Sequence, residues 1–234
     1  IMGLLLANGL FFVLPIKPIS AQPTLTWKWT RSLGAVGQTF IGPLAADLNN
    51  DGEMEIVVVG GSTDGGTDGA VTVLNGMTGN VVWQEIPRDI IRQADPIVIN
   101  GGVGMHSPFE IADLDKNGIP EIVIAAEGGA LVLHGNDGSL YWFNRQAPAR
   151  ENYLVTCDVD GDGYSEIFVC RGNGPYDGHD WITELSYDGK ILRQAWTWHP
   201  CWGGMSIGDT NFDGVIELYS GDRRINSGAD HTSG

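Results

Sequence analysis

The sequence predicts an all-β protein: a β-propeller of four-stranded antiparallel blades, with a metal loop between the first and second strands of each blade. Three observations predict it. A nine-residue acidic loop recurs four times, β-favouring runs bracket each copy, and the copies begin at Asp47, Asp113, Asp158 and Asp209, at intervals of 66, 45 and 51 residues. Repeats of roughly 40–50 residues with four strands each are the signature of propeller blades.

Each loop opens on Asp, has Asp or Asn third and fifth, Gly sixth and Glu ninth. Carboxylates at alternate positions of a tight turn repel one another unless a cation sits among them. Ca²⁺ takes roughly six to eight oxygens and tolerates the irregular geometry of a loop. The expected ligands are Asp47, Asn49, Asp51 and Glu55; Asp113, Asp115, Asn117 and Glu121; Asp158, Asp160, Asp162 and Glu166; and Asp209, Asn211, Asp213 and Glu217. The seventh residues, Glu53, Ile119, Tyr164 and Val215, are expected to offer backbone carbonyls. Up to four Ca²⁺ are thus expected. An EF-hand would need a bidentate Glu at the twelfth position. Val58, Ile124, Val169 and Ser220 stand there instead. The sixth glycine permits the sharp turn. A plain Asp/Asn/Gly turn without metal is the competing reading of any single copy.

The acid excess fits this picture. Formal net charge is −16, from 13 basic and 29 acidic residues, and it argues against nucleic acid or an anionic membrane as partner. Residues 1–21 read as an export signal: Leu4-Leu5-Leu6-Ala7 and Leu10-Phe11-Phe12-Val13-Leu14 form an apolar core, and Ile19-Ser20-Ala21 a small-residue cleavage site. Contact with a membrane is expected only through that segment, were it left uncleaved. Residues 22–234 are then the exported propeller. Three cysteines, Cys157, Cys170 and Cys201, match no zinc spacing. They are either one disulfide and an odd thiol or buried thiols in strands.

In chain order, Thr24–Thr30 alternates as a strand, with Leu25, Trp27 and Trp29 on one face. The segment Phe40–Leu48 leads into the first loop and Glu55–Gly60 leads out. A glycine-rich linker, Gly60–Gly69, precedes a hairpin of Ala70–Leu74 and Val81–Trp83 around Asn75-Gly76. The second unit repeats the plan with Ile122–Ala126, Ala130–Leu133 and Ser139–Trp142, and the third with Ile167–Val169, Trp181–Leu185 and Lys190–Leu192. The fourth loop leads to Leu218-Tyr219 and no outer hairpin follows. About four blades of a larger ring are therefore expected here, with the remaining blades missing from this chain and an open arc as the result. Linker and Pro87–Val103 account for the long first interval. Trp83 and Trp142, each four residues after a turn glycine, are expected to be blade packing rather than ligand platforms.

These loops resemble those of FG-GAP and VCBS-type repeats, the calcium-binding propeller blades of integrin α-chains and many secreted microbial proteins. The phrase that names the FG-GAP repeat survives loosely as Ile41-Gly42-Pro43. The hairpin Val71-Thr72-Val73-Leu74-Asn75-Gly76, with Gly79 and Trp83, is similar to blades of quinone-cofactor propellers, which implies a dehydrogenase as a third reading. Rhamnogalacturonan lyases carry a similar calcium propeller. The resemblance implies a secreted calcium-binding module for binding or adhesion, or else a polysaccharide lyase.

In propellers of this type the first strand of each blade opens on the face away from the metal loops. Phe40, His106, Glu151 and Trp202 stand seven residues before the four loops, with Arg150, Asn152 and His199 nearby. Of these, His106, Arg150, Glu151, His199 and Trp202 are the candidate ligand-binding residues. Aromatic rings stack on sugar C–H faces while charged and amide groups take the hydroxyls. A polysaccharide or a cell-surface protein is the expected partner. Packing and capping between blades is the competing role for these side chains.

Overall fold

The computed structural model describes residues 2–7, 10–15, 28–33, 39, 41–62, 68–147, 153–171, 180–197 and 204–220. Two compact units emerge, Ile1–Thr30 and Arg31–Gly234. In the first, β1 (Met2–Ala7) and β2 (Leu10–Pro15) pair antiparallel, Met2 opposite Pro15. The strand expected over Thr24–Thr30 is corrected in part: residues 24–27 lie outside the described residues, and Lys28–Thr30 belong to no strand. Alternation of apolar and polar residues makes a strand only where a neighbour supplies the ladder.

The second unit is built of antiparallel blades. The first is β3 (Leu44–Ala46), β4 (Glu55–Gly60), β5 (Ala70–Asn75) and β6 (Val81–Glu85). Eight residues, Pro87–Ala94, then form helix α1, where the sequence indicated only an insertion. Proline at its start supplies a pre-set φ and lacks the N–H that a first turn cannot use. Its Ile91 is fully buried among Val59, Val71 and Val103. The second blade is β7 (Phe109–Ala112), β8 (Glu121–Ala126), β9 (Gly129–His134) and β10 (Leu140–Asn144). The third is β11 (Leu154–Cys157), β12 (Glu166–Arg171), β13 (Asp180–Leu185) and β14 (Ile191–Thr197). Of the fourth, β15 (Met205–Gly208) and β16 (Glu217–Ser220) are described. The innermost strands β3, β7, β11 and β15 neighbour one another in chain order.

Period-two side-chain alternation explains the core. On β8, Ile122, Ile124 and Ala126 face the first blade and join Leu48, Val57, Val73 and Leu131. Val123 and Ala125 face the third blade and join Leu114, Ile167, Val169 and Leu185. Every residue of β8 is buried, so a strand flanked on both faces reads as an unbroken apolar run. Each fully buried Leu or Ile contributes about 1.5–3 kcal/mol relative to exposure. Cys157 and Cys170 stay thiols.

A bulge recurs at one place in the outer hairpins. It leaves Val82, Tyr141 and Leu192 as the extra residue, just before Trp83, Trp142 and Arg193. Bulges re-aim the side chains beside them. Trp83 Nε1 donates to the Gly135 carbonyl of the second blade at 2.9 Å, and Trp142 Nε1 to the Tyr187 carbonyl of the third at 2.9 Å. A Cβ on Gly138 would sit 2.7 Å from the Trp83 ring, and one on Gly189 2.7 Å from the Trp142 ring. Both tryptophans are packing residues, as their spacing indicates, and each also clamps the next blade by a hydrogen bond. In the third blade the equivalent Arg193 instead pairs with Glu184, Nη2 to Oε1 at 3.0 Å.

Candidate metal centres

All four acidic loops join the first and second strands of a blade, and the residues at the twelfth position fall within β4, β8, β12 and β16. Local chemistry shapes them alike. The third side chain accepts from the fifth N–H: Asn49 from Asp51 at 3.0 Å, Asp115 from Asn117 at 3.0 Å, Asp160 from Asp162 at 3.0 Å and Asn211 from Asp213 at 2.9 Å. The fifth side chain accepts from the seventh N–H in every copy, at 2.7–2.8 Å. These are successive Asx turns, the local bonding that Asp and Asn side chains favour. The sixth glycines, Gly52, Gly118, Gly163 and Gly214, have φ of 86, 88, 87 and 86°, left-handed values that tax any side chain.

The ninth residue closes each loop. Glu55, Glu121, Glu166 and Glu217 accept, through Oε2, the backbone N–H of Leu48, Leu114, Val159 and Thr210, each at 2.9 Å. The first three glutamates are buried. In the second loop Glu121 Oε1 is buried without a hydrogen bond, and His134 Nδ1 stands 3.5 Å away. Burial pushes the Glu55, Glu121 and Glu166 carboxyls above the ordinary range, neighbouring acids add to the rise, and the backbone N–H bonds oppose it. At Asp47 desolvation acts upward, but backbone N–H groups of Gly52, Asp51, Asn49 and Asn50 outweigh it and hold that carboxyl below the ordinary range.

Among the described residues, three groups of carboxylates bring one oxygen each within 4.8 Å of the others: Asp113, Asp115 and Glu121; Asp158, Asp160 and Glu166; Asp209, Asp213 and Glu217. Two oxygens on one Ca²⁺ at its usual bond lengths are at most roughly 5 Å apart. These groups therefore pass a distance test for a shared ion, and the donor set is all oxygen, which suits a hard cation. Glu121 Oε1, buried and with only the His134 Nδ1 at 3.5 Å beside it, is the atom a metal would satisfy. The first loop has the same turns, but no such group is found there among the described residues.

Of the ligand-binding candidates, His106 lies in a turn and is half-buried. Arg150, Glu151, His199 and Trp202 lie outside the described residues. The sequence reading missed a second set. Lys116, fourth in the second loop, donates from Nζ to the Asp162 carbonyl of the third loop at 3.1 Å and lies 3.9 Å from the Tyr164 ring centroid. Tyr164 stacks on Tyr187 at 4.4 Å. Glu110 on β7 accepts from both the N–H and the hydroxyl of Thr156 on β11, each at 2.8 Å. Lys116 is the sole basic residue in the four loops, a signal the sequence did carry.

Residues 113–169 match the family model of the FG-GAP-like repeat, which spans the second and third loops. Among curated proteins none matches the sequence. Two solved structures share the fold. A rhamnogalacturonan lyase of Bacillus licheniformis aligns with TM-score 0.55 and 16% identity over 76% of this chain. The rhamnogalacturonan lyase YesW aligns with TM-score 0.53 and 15% identity over 76% of this chain. The chain spans 39% of the length of each lyase. Among the described residues no helix is long and apolar enough to cross a membrane.

Proposed function

We propose that this chain, a β-propeller protein carrying an FG-GAP-like repeat, is a secreted binding module whose acidic loops hold Ca²⁺, up to four ions in all. One observation carries the calcium reading: four loops repeat the same two Asx-turn bonds and the same glutamate bond, and three of them gather carboxylate oxygens within 4.8 Å. The side chains at the first, third, fifth and ninth positions hold the ion, with the seventh carbonyl beside them. Bound Ca²⁺ offsets the repulsion among the acids and fixes the β3–β4, β7–β8, β11–β12 and β15–β16 hairpins. Full occupancy would bring the formal charge of −16 to −8. Residues 1–21 serve as the export signal in this reading, and extracellular calcium, at millimolar levels, suits loops of modest affinity. The ligand is a carbohydrate or a cell-surface protein, taken by His106, Arg150, Glu151, His199 and Trp202.

Chelation tests the calcium reading. A ligand present at a hundred times its Kd stabilises by about 2.7 kcal/mol per site. EGTA is therefore expected to lower the melting temperature by about 5 °C or more. Ca²⁺ should restore it, and Mg²⁺ restore it poorly, since Mg²⁺ demands tighter octahedral geometry. An unchanged melting curve sinks the reading. The fold shared with two rhamnogalacturonan lyases favours polysaccharide lyase as the second reading. Unsaturated products released from rhamnogalacturonan, followed by ultraviolet absorbance, would replace the binding module by the enzyme.

A further inference from the structure

Between the second and third loops a fixed cation crosses the blade boundary. Lys116 has a left-handed φ of 62°, a conformation that costs an ordinary side chain about 1–2 kcal/mol. Its Nζ reaches the third loop and donates to the Asp162 carbonyl at 3.1 Å. A Cβ added to Gly163 would lie 2.2 Å from that Nζ, so the ammonium occupies the space a side chain would take. The Tyr164 ring lies under it at 3.9 Å, and Tyr187 braces Tyr164 from the other side at 4.4 Å. Tyr187 is itself held through its carbonyl by the Trp142 clamp. One backbone carbonyl and one braced aromatic ring of the third blade thus meet an ammonium carried by the second.

The charge of the third loop explains why it needs one. Its first, third, fifth and ninth residues are all acids, Asp158, Asp160, Asp162 and Glu166, whereas each of the other three loops has an Asn among those positions. The loop with a fourth carboxylate among those four positions is the one that receives a lysine; the first loop also has four acids, but its fourth is Glu53 at the seventh position. We infer that Lys116 is a positioning residue: a built-in counter-charge that holds the third loop folded without metal and sets its metal affinity from the neighbouring blade. The inference rests on the calcium reading only for its second half.

The two halves predict opposite signs. Without metal, Lys116 offsets repulsion among four carboxylates, so removing its charge destabilises the calcium-free protein. With metal, a fixed positive charge beside the site opposes the ion, so removing it tightens binding. A residue that merely packed would move both quantities the same way. The experiment compares the full chain with Lys116→Met, which keeps an apolar stem over Tyr164, and with Lys116→Arg, which keeps the charge. Melting of calcium-stripped protein and calorimetric titration with CaCl₂ are the readouts.

Lys116→Met is expected to lower the calcium-free melting temperature by about 2 °C or more. It should also tighten Ca²⁺ binding at one site by about three- to tenfold, as expected for two charges acting through water and salt at this range. Lys116→Arg should restore both. The affinity change should vanish in an Asp160→Ala background, which removes a third-loop carboxylate. Weakened or unchanged Ca²⁺ binding in Lys116→Met, or a change that persists with Asp160→Ala, overturns the inference. Were the parent chain to bind no Ca²⁺, the calcium reading would fail, and the calcium-free melts of the Met and Arg variants would still decide the counter-charge; equal melting would overturn it.

Discussion

The second and fourth loops share one pattern and four of their hydrogen bonds, yet sit in different surroundings. In both, the first Asp accepts from the sixth Gly N–H at 2.9 Å, and the ninth Glu accepts from the second N–H at 2.9 Å. Around the second loop the protein closes. Leu114 and Glu121 are fully buried, and Leu114 packs with Val123, Leu154 and Ile167. At the fourth loop Thr210, which replaces Leu114, is exposed, Glu217 is half-buried, and Phe212 is 91% exposed. The loop shape is therefore local, written by Asx turns and a left-handed glycine. What differs between the two is burial, and burial decides how much stability each loop holds and what its charges cost.

The largest expected effect breaks the pair at the second position. Leu114→Ala removes a fully buried side chain and leaves a cavity, a loss of about 2–5 kcal/mol. Thr210→Ala removes a hydroxyl that donates to Glu217 at 3.0 Å on an exposed loop, a loss of about 1 kcal/mol or less. Urea unfolding at saturating calcium reads both. Equal losses would mean that the two loops are alike in surroundings as well as in shape.

Most of the local half of this comparison was legible in the sequence. Asp, Asn, Gly and Glu at fixed offsets determine turns through bonds within nine residues, and the β-branched runs after them determine strands by period two. The strands of the first three blades and the packing role of the tryptophans follow from such local signals. What escaped notice depends on other blades. Helix α1 is held by the burial of Pro87 and Ile91, the latter among side chains of two blades, and its eight residues are too few for a helical period to stand out. Pairing of Glu110 with Thr156, and of Lys116 with the third loop, joins residues 46 positions apart. Arg193, four residues after the turn Gly189, breaks the tryptophan pattern at the same spacing, and the sheet register places it at the equivalent position.

Acidity sharpens the comparison at the ninth position. Burial raises the Glu121 carboxyl above its ordinary 4.5, with Asp115 adding to the rise. A group raised in the folded state lends stability that is complete below its unfolded value and is lost as pH climbs through the folded value. Calcium-stripped protein should therefore melt higher as the pH falls from 7 towards 5, and Glu121→Gln should flatten that slope. With saturating calcium the variant should instead melt lower than the parent, because one ligand oxygen and its charge are gone. Differential scanning calorimetry at several pH values separates the two. A slope unaltered by Glu121→Gln would place the pH sensitivity elsewhere.

The smallest effect concerns the fourth position, where Asn50, Lys116 and Phe212 take φ of 59, 62 and 61°. Asn tolerates that conformation better than most residues because its short amide bonds locally. Lys116 has contacts to offset the strain: the Asp162 carbonyl and the Tyr164 ring. Phe212 has an exposed ring and the same backbone. Phe212→Asn should accordingly stabilise the protein by roughly 0.5–1 kcal/mol. The same change at Lys116 should destabilise it, since relief of strain there comes with loss of the ammonium. Melting of both variants under one calcium concentration gives the signs directly. A destabilised Phe212→Asn would show that this ring is held by contacts its exposure does not suggest, and would remove the contrast between a buried loop and an exposed one.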